Sequence, residues 1–283
     1  MKKKIYRIIG LVLVFVILFF VSLPTLLHKA GLHPKYDSKN YNFKDKRAVI
    51  ISTSHGILNK PGESTGKSTG VFASELTVPY YEFTDSGIEV DLASIKGGKI
   101  PIDPESFLYV VKTSSDDRYL EDPLLKEKVE NSILIDELEI DNYDLVFIAG
   151  GWGAAYDLGY SEILGEKISQ TYYNSNSIIG GVCHGVLGFI NAKDSLGNLI
   201  IKNKRMTGVT NKQIKELGID FTPQHPEEEL IKAGVIFESK TAIRDVFANL
   251  TVVDEESKFV TGQNQNAGHE TPQKMMDILK SKQ

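Results

Sequence analysis

The sequence predicts an α/β protein with a mainly parallel central sheet, preceded by one N-terminal transmembrane helix. Three observations carry this. Short, almost wholly apolar runs, Ala48 to Ser52 and Ser177 to Val182 among them, have the composition of strands buried on both faces. These runs alternate with stretches of helical spacing, the pattern of strand-helix-strand units. A single uncharged run, Ile8 to Leu27, stands apart near the amino terminus.

That run supplies about the twenty residues a helix needs to cross a bilayer core. A buried helix of a soluble domain carries a polar stripe, and this one has none. Lys2, Lys3, Lys4 and Arg7 precede it, so the positive-inside tendency keeps residues 1–7 in the cytoplasm and sends everything after Leu27 across. The expected protein is single-pass, with its catalytic domain extracytoplasmic. A long signal peptide is the alternative. Against cleavage, the run exceeds a typical signal core, and Leu27-His28-Lys29-Ala30-Gly31 is a poor small-x-small site.

Residues 28–45 are polar, with Pro34 and several Asp, Lys and Asn residues, and read as a stalk; residues 46–283 form one domain. The length of 283 residues suits one sizeable core. A net charge of -5 gives no basic excess for nucleic acid, and no nucleic-acid-binding motif is present. With a single cysteine there is no intramolecular disulfide.

Within the domain, Ala48 to Ser52 is the first strand. A polar glycine-rich loop, Gly62 to Gly70, precedes a helical stretch, Phe72 to Phe83, with Glu75 in its first turn. Ile88 to Ala93 is a second strand. Asp144 to Ala149 is a third and runs into Gly150-Gly151-Trp152-Gly153. Ser161 to Tyr173 has amphipathic helical spacing, and Ser177 to Val182 ends at Cys183. Thr251 to Asp254 and Phe259 to Gly262 are short strands, and Thr271 to Lys280 a closing helix.

The chemistry gathers at Ile179-Gly180-Gly181-Val182-Cys183-His184-Gly185. A strand ends at a nucleophile-type residue, glycines flank it, and a helical pattern follows, as in a nucleophile elbow. A helix N-terminus there favours thiolate, so a thiol pKa well below about 8.5 is expected. His184 is suited to act as base or as a backbone oxyanion donor. Gly150-Gly151-Trp152-Gly153 can turn its amides toward a developing oxyanion at the carboxyl edge of the sheet. Asp157 reads as a cap or turn residue. Pro61 to Ser68 looks like a phosphate loop but has proline where that pattern needs glycine, and is rejected. His225, in Gln224-His225-Pro226-Glu227-Glu228-Glu229, reads as part of a solvated loop, and no metal site is expected.

Together, TGVFASELTVPYYEF, GIEVDLASIKGGKIPIDPES, DLVFIAGGWG, IIGGVCHG, RMTGVT and FVTGQNQNAG resemble the class I glutamine amidotransferase-like superfamily in its PfpI-type branch, within it the heat-shock glyoxalase III and chaperone group. The resemblance spans almost all of the chain after residue 45. It implies a flavodoxin-like three-layer sandwich with Cys183, His184 and Glu75 catalytic, the amides of Gly151 and His184 as oxyanion hole, and Trp152 in the substrate pocket. It also implies conversion of methylglyoxal or another small aldehyde to D-lactate or a hydroxy acid, without glutathione, metal or other cofactor, and allows a homodimer. Some relatives are holding chaperones or are described as peptidases. A redox-sensing or chaperone role is therefore the alternative function, and a cysteine peptidase or amidotransferase-like hydrolase the third.

The chain departs from that pattern twice. After RMTGVT, where relatives place an acid that orients the histidine, it has Asn211-Lys212-Gln213-Ile214, with Glu216 slightly beyond. Trp152 stands where many relatives have histidine, which makes the pocket wall bulkier and more apolar.

Overall fold

The computed structural model describes residues 2–34, 36–174 and 176–282. It begins with helix α1 (Lys2–Lys29), which continues two residues past the predicted apolar run. Every described side chain from Lys3 to Ser22 is exposed, because this part of α1 packs on nothing.

The domain is built on strands β1 (Arg47–Ser52), β2 (Ile57–Leu58), β3 (Lys67–Ser68), β4 (Glu89–Ser94), β5 (Ile133–Leu134), β6 (Leu145–Ile148), β7 (Ile178–Val182), β8 (Arg205–Met206), β9 (Ile236–Phe237), β10 (Thr251–Val253) and β11 (Phe259–Gly262). Its helices are α2 (Ala73–Asp85), α3 (Ser114–Glu121), α4 (Pro123–Glu130), α5 (Ala154–Asp157), α6 (Glu162–Tyr173), α7 (Asn211–Leu217), α8 (Pro226–Lys232) and α9 (Glu270–Ser281). The central seven-stranded sheet has the order β10-β11-β7-β6-β1-β4-β5. All its pairings are parallel except β10 with β11.

Alternate residues of the central strands face opposite layers, as the two-residue period of a strand requires. Ala48, Ile50, Leu145 and Phe147 join one core with α2 and α9 residues such as Phe83 and Met275. Val49, Ile51, Val146 and Ile148 join the other with Leu164, Ile168 and Phe189. Both faces of β1 and β6 are therefore apolar, which is why these strands read as continuous hydrophobic runs.

Three expectations need correction. The predicted stalk is not free of the domain: Leu32 and Phe43 are each only 4% exposed. The glycine-rich loop contains β3, which pairs with β2 as an antiparallel hairpin. His225 and the acids after it are not a solvated loop but the start of α8, with Pro226 at its first position and Glu227, Glu228 and Glu229 in its first turn. Proline and acids at that place suit a helix N-terminus.

Chain order reverses between β1 and β6: β1 leads out to β4, and the chain returns to β6 on the other side. In open α/β sheets such a switch point leaves a crevice at the carboxyl ends of the strands. The predicted functional residues meet there.

Candidate active site

Cys183 leaves β7 with φ +57° and opens a short 3₁₀ helix, Cys183–Phe189. A positive φ on a non-glycine residue costs on the order of 1–3 kcal/mol and is held only by surrounding structure. Here the clamp is β7, wholly buried, and the 3₁₀ helix, whose residues are buried throughout.

Glu75 comes from the first turn of α2 and is 1% exposed. Its carboxyl faces Cys183 and the Gly150 amide, both of which favour its charged form, and Oε2 is buried without a hydrogen-bond partner. Gly150 has to be glycine, since a Cβ there would lie 2.5 Å from Glu75 Oε2. Gly151 has φ +101°, and its missing Cβ would sit 2.3 Å from the Phe72 nitrogen. The glycine run thus lets the turn after β6 close onto Glu75, and the amides of His184 and Gly151 stand beside the Cys183 sulfur, where they favour its charged form.

Burial pushes the Glu75 carboxyl up to about 8, so it carries a proton at neutral pH. Burial, then the charge of Glu75 when ionised, also pushes the Cys183 thiol up, against the two amides. This reverses the low thiol pKa expected from a helix N-terminus. The helix is a short 3₁₀ segment, the thiol is buried, and the ionisable side chain acting on the sulfur is a carboxyl. Glu75 and Cys183 titrate as a pair rather than as separate groups.

His184 Nδ1 lies 3.5 Å from Cys183 Sγ. Its ring packs against Trp152, with centroids 5.0 Å apart. Burial, then the nearby His225, lowers its pKa to about 3, so the imidazole is neutral. Nε2 is buried without a hydrogen-bond partner. Glu216 does not orient it: its Oε2 accepts the Asp245 amide at 2.7 Å. Gln213 lines the pocket, and its Oε1 accepts from Asn264 Nδ2. Asp157 serves the turn after β1, accepting from Thr53 Oγ1 and the Ser54 amide, each at 2.7 Å.

Glu75, Gly151, Trp152, Cys183, His184 and Gln213 line a cavity of about 260 Å³. Sequence reasoning missed several of its walls, including Leu32, His33, Asp103, Leu108 and Val111. For Asp103 a signal existed, since it lies in the GKIPIDPES stretch; it is 4% exposed, accepts from Thr69 Oγ1 at 2.7 Å and caps the 3₁₀ turn at Pro104–Phe107. Among the described residues, no group of three or more His, Cys, Asp or Glu side chains is placed to hold a metal ion.

The chain is 29% identical over 231 residues to Glyoxalase 3 of Candida albicans, a match covering 80% of this chain and 94% of that one. It is 27% identical over 247 residues to the glutathione-independent glyoxalase HSP31 of Saccharomyces cerevisiae, covering 83% and 99%. Among solved structures, Rapid Encystment Protein 24 kDa of Francisella tularensis superposes with a TM-score of 0.75 at 32% identity, covering 83% of this chain and 99% of that one. Glyoxalase III from C. albicans has the same fold, with a TM-score of 0.72 at 24% identity. Residues 68–276 match the model of the DJ-1/PfpI family, a span that holds Glu75, the glycine turn and the Cys183 elbow, and the chain belongs to that family.

Proposed function

We propose that the chain is a glutathione-independent glyoxalase that converts methylglyoxal or a related small 2-oxoaldehyde to D-lactate or the corresponding hydroxy acid. The observation that carries this is the buried Cys183–Glu75 pair beneath the amides of Gly151 and His184, in a chain whose curated relatives are named for that activity.

The reactive form is the pair holding one proton. As Sγ bonds to the aldehyde carbon, the oxygen becomes an alkoxide, which the Gly151 and His184 amides stabilise. The shared proton passes through Glu75 to that oxygen and leaves a hemithioacetal beside a carboxylate. Glu75 then takes the hydrogen from the former aldehyde carbon and returns it to the neighbouring carbon, while the two oxygens exchange the hydroxyl proton. The product is a thioester of the 2-hydroxy acid. Water, with neutral His184 as base, hydrolyses it and restores the thiol. The balance is one water added, with no electrons gained or lost.

The same reading includes α1 as a membrane anchor with residues 1–7 on the cytoplasmic side. Its support is an apolar helix of Lys3–Lys29 with none of its most hydropathic window buried, and the basic residues Lys2, Lys3, Lys4 and Arg7 at its start. A signal sequence has the same features. Mass spectrometry of the membrane-bound protein tests this: a retained N-terminal peptide supports the anchor, and a mature chain starting near residue 30 sinks it.

One observation favours a second reading, redox sensing or chaperoning without turnover: His184 Nε2 has no acid to orient it. Turnover of methylglyoxal without glutathione by the purified chain, against a stable oxidised Cys183 under peroxide, separates the two.

A further inference from the structure

The segment between α1 and the domain is built into the cavity. Gly31, at φ +111°, presses on the backbone near Phe247, where a Cβ would meet the Phe247 carbonyl oxygen at 2.9 Å. Leu32 is buried, and its carbonyl lies 2.8 Å from His28 Nδ1, which donates to it. The His33 amide donates to Asn266 Oδ1 at 2.7 Å, and the Asn266 side chain is itself held by the carbonyls of Val246 and Ala248. His33 Nε2 lies 2.6 Å from the Val111 carbonyl, an acceptor only, so this nitrogen carries the hydrogen. Through its amide and its ring His33 therefore ties the end of α1 to parts of the domain 78 and 233 positions away.

Leu32 and His33 line the same cavity as Cys183, Glu75 and Trp152. The rest of that lining is largely apolar: Phe72, Leu108, Val209, Leu217, Ile219. Among the described residues no lysine or arginine lines it, while Asp103 and Glu105 do. Burial lowers the His33 pKa to about 4, so His33 adds no positive charge. Among the described lining residues a substrate carboxylate or phosphate would meet two acids and no cation. At about 260 Å³ the cavity lies just below the range of roughly 300–1,000 Å³ found for drug-sized ligands, and it is larger than a three-carbon aldehyde needs.

We propose that Leu32 and His33 are specificity-determining residues: the linker that follows the apolar helix is a wall of the catalytic cavity and selects uncharged 2-oxoaldehydes with an apolar substituent larger than methyl. The substrate part rests on the glyoxalase reading; the wall does not. The linker acts as part of the enzyme as well as a tether.

The test uses the full chain in detergent, as wild type, Leu32→Ala, Leu32→Met and His33→Ala, with two readouts. The first is Cys183 alkylation, followed by mass spectrometry, as the rate with N-phenylmaleimide divided by the rate with iodoacetamide. The wall predicts that this ratio changes at least about threefold in Leu32→Ala and His33→Ala and returns to wild type in Leu32→Met, which restores the volume. A ratio unchanged in both alanine variants overturns the wall, whatever the enzyme turns over. The second is kcat and KM for methylglyoxal and phenylglyoxal. Leu32→Ala should raise KM for phenylglyoxal about fivefold or more at similar kcat and raise KM for methylglyoxal by a smaller factor, the pattern of lost uniform binding. Equal effects on the two aldehydes overturn the selectivity. A wild type that turns over neither aldehyde removes the glyoxalase reading and the selectivity with it, and the alkylation ratio still decides the wall.

Discussion

Cys183 Sγ and His184 Nδ1 lie 3.5 Å apart although the residues are sequence neighbours. Adjacent side chains on a regular helix point away from each other. The pair meets because Cys183 sits at φ +57°, outside the helical region, and so directs its side chain across the start of the 3₁₀ segment. The strained backbone of the elbow thus brings thiol and imidazole together.

In the proposed mechanism Glu75 moves the proton, and Glu75→Gln keeps its shape while removing the ionisable group. The variant should fold and lose at least about tenfold in kcat/KM, roughly 1.4 kcal/mol of barrier. A smaller loss, with the variant's melting curve intact, would show that Glu75 does not move the proton.

The pH dependence follows from the same pair. In the proposed mechanism the reactive form has lost one of two protons, and burial places the Glu75 ionisation near 8. The rate should therefore climb as pH rises through about 8 rather than level off near 5. Cys183 alkylation should follow the same limb, and Glu75→Gln should move it to higher pH, because the thiol, still raised by burial, must then ionise without the carboxyl that shares the first deprotonation. A thiol midpoint below about 7 in the wild type, or one unmoved by the substitution, contradicts this.

Stability should carry the same signature. The Glu75 carboxyl binds its proton more tightly folded, near 8, than its ordinary value of 4.5. Its contribution is fully present below about 4.5 and is lost as pH rises through about 8, because the unfolded chain ionises first. The wild-type melting temperature should fall across that window relative to Glu75→Gln, and parallel profiles would contradict it.

Gly151→Ala introduces a Cβ 2.3 Å from the Phe72 nitrogen at a residue with φ +101°. It should destabilise the fold by about 2–4 kcal/mol and displace one of the two amides at the sulfur. Denaturant unfolding measures the first effect. A loss below about 0.5 kcal/mol would mean the turn relaxes freely.

Much of this centre was legible in the sequence, for physical reasons that differ by element. β1, β6 and β7 are buried on both faces, so their apolar runs are unbroken, and the elbow and the Gly150-Gly151 turn need small residues that stand out. The stretch 95–143 was not assigned: α3 and α4 are eight residues each and bury few side chains, and β5 is two residues long. Leu32 and His33 could not be found by pattern, since one buried and one half-buried residue in a polar run have no periodicity. The pKa of Cys183 was misjudged because burial and the approach of Glu75 are properties of the folded pocket, not of the local sequence.

The central claim is tested most directly by measuring D-lactate formed from methylglyoxal in the absence of glutathione, with the full-length chain and its Cys183→Ala variant side by side. The account predicts turnover by the wild type, increasing toward pH 8, and none above background by the variant. No product from the wild type between pH 6 and 9, or equal product from both, would contradict it.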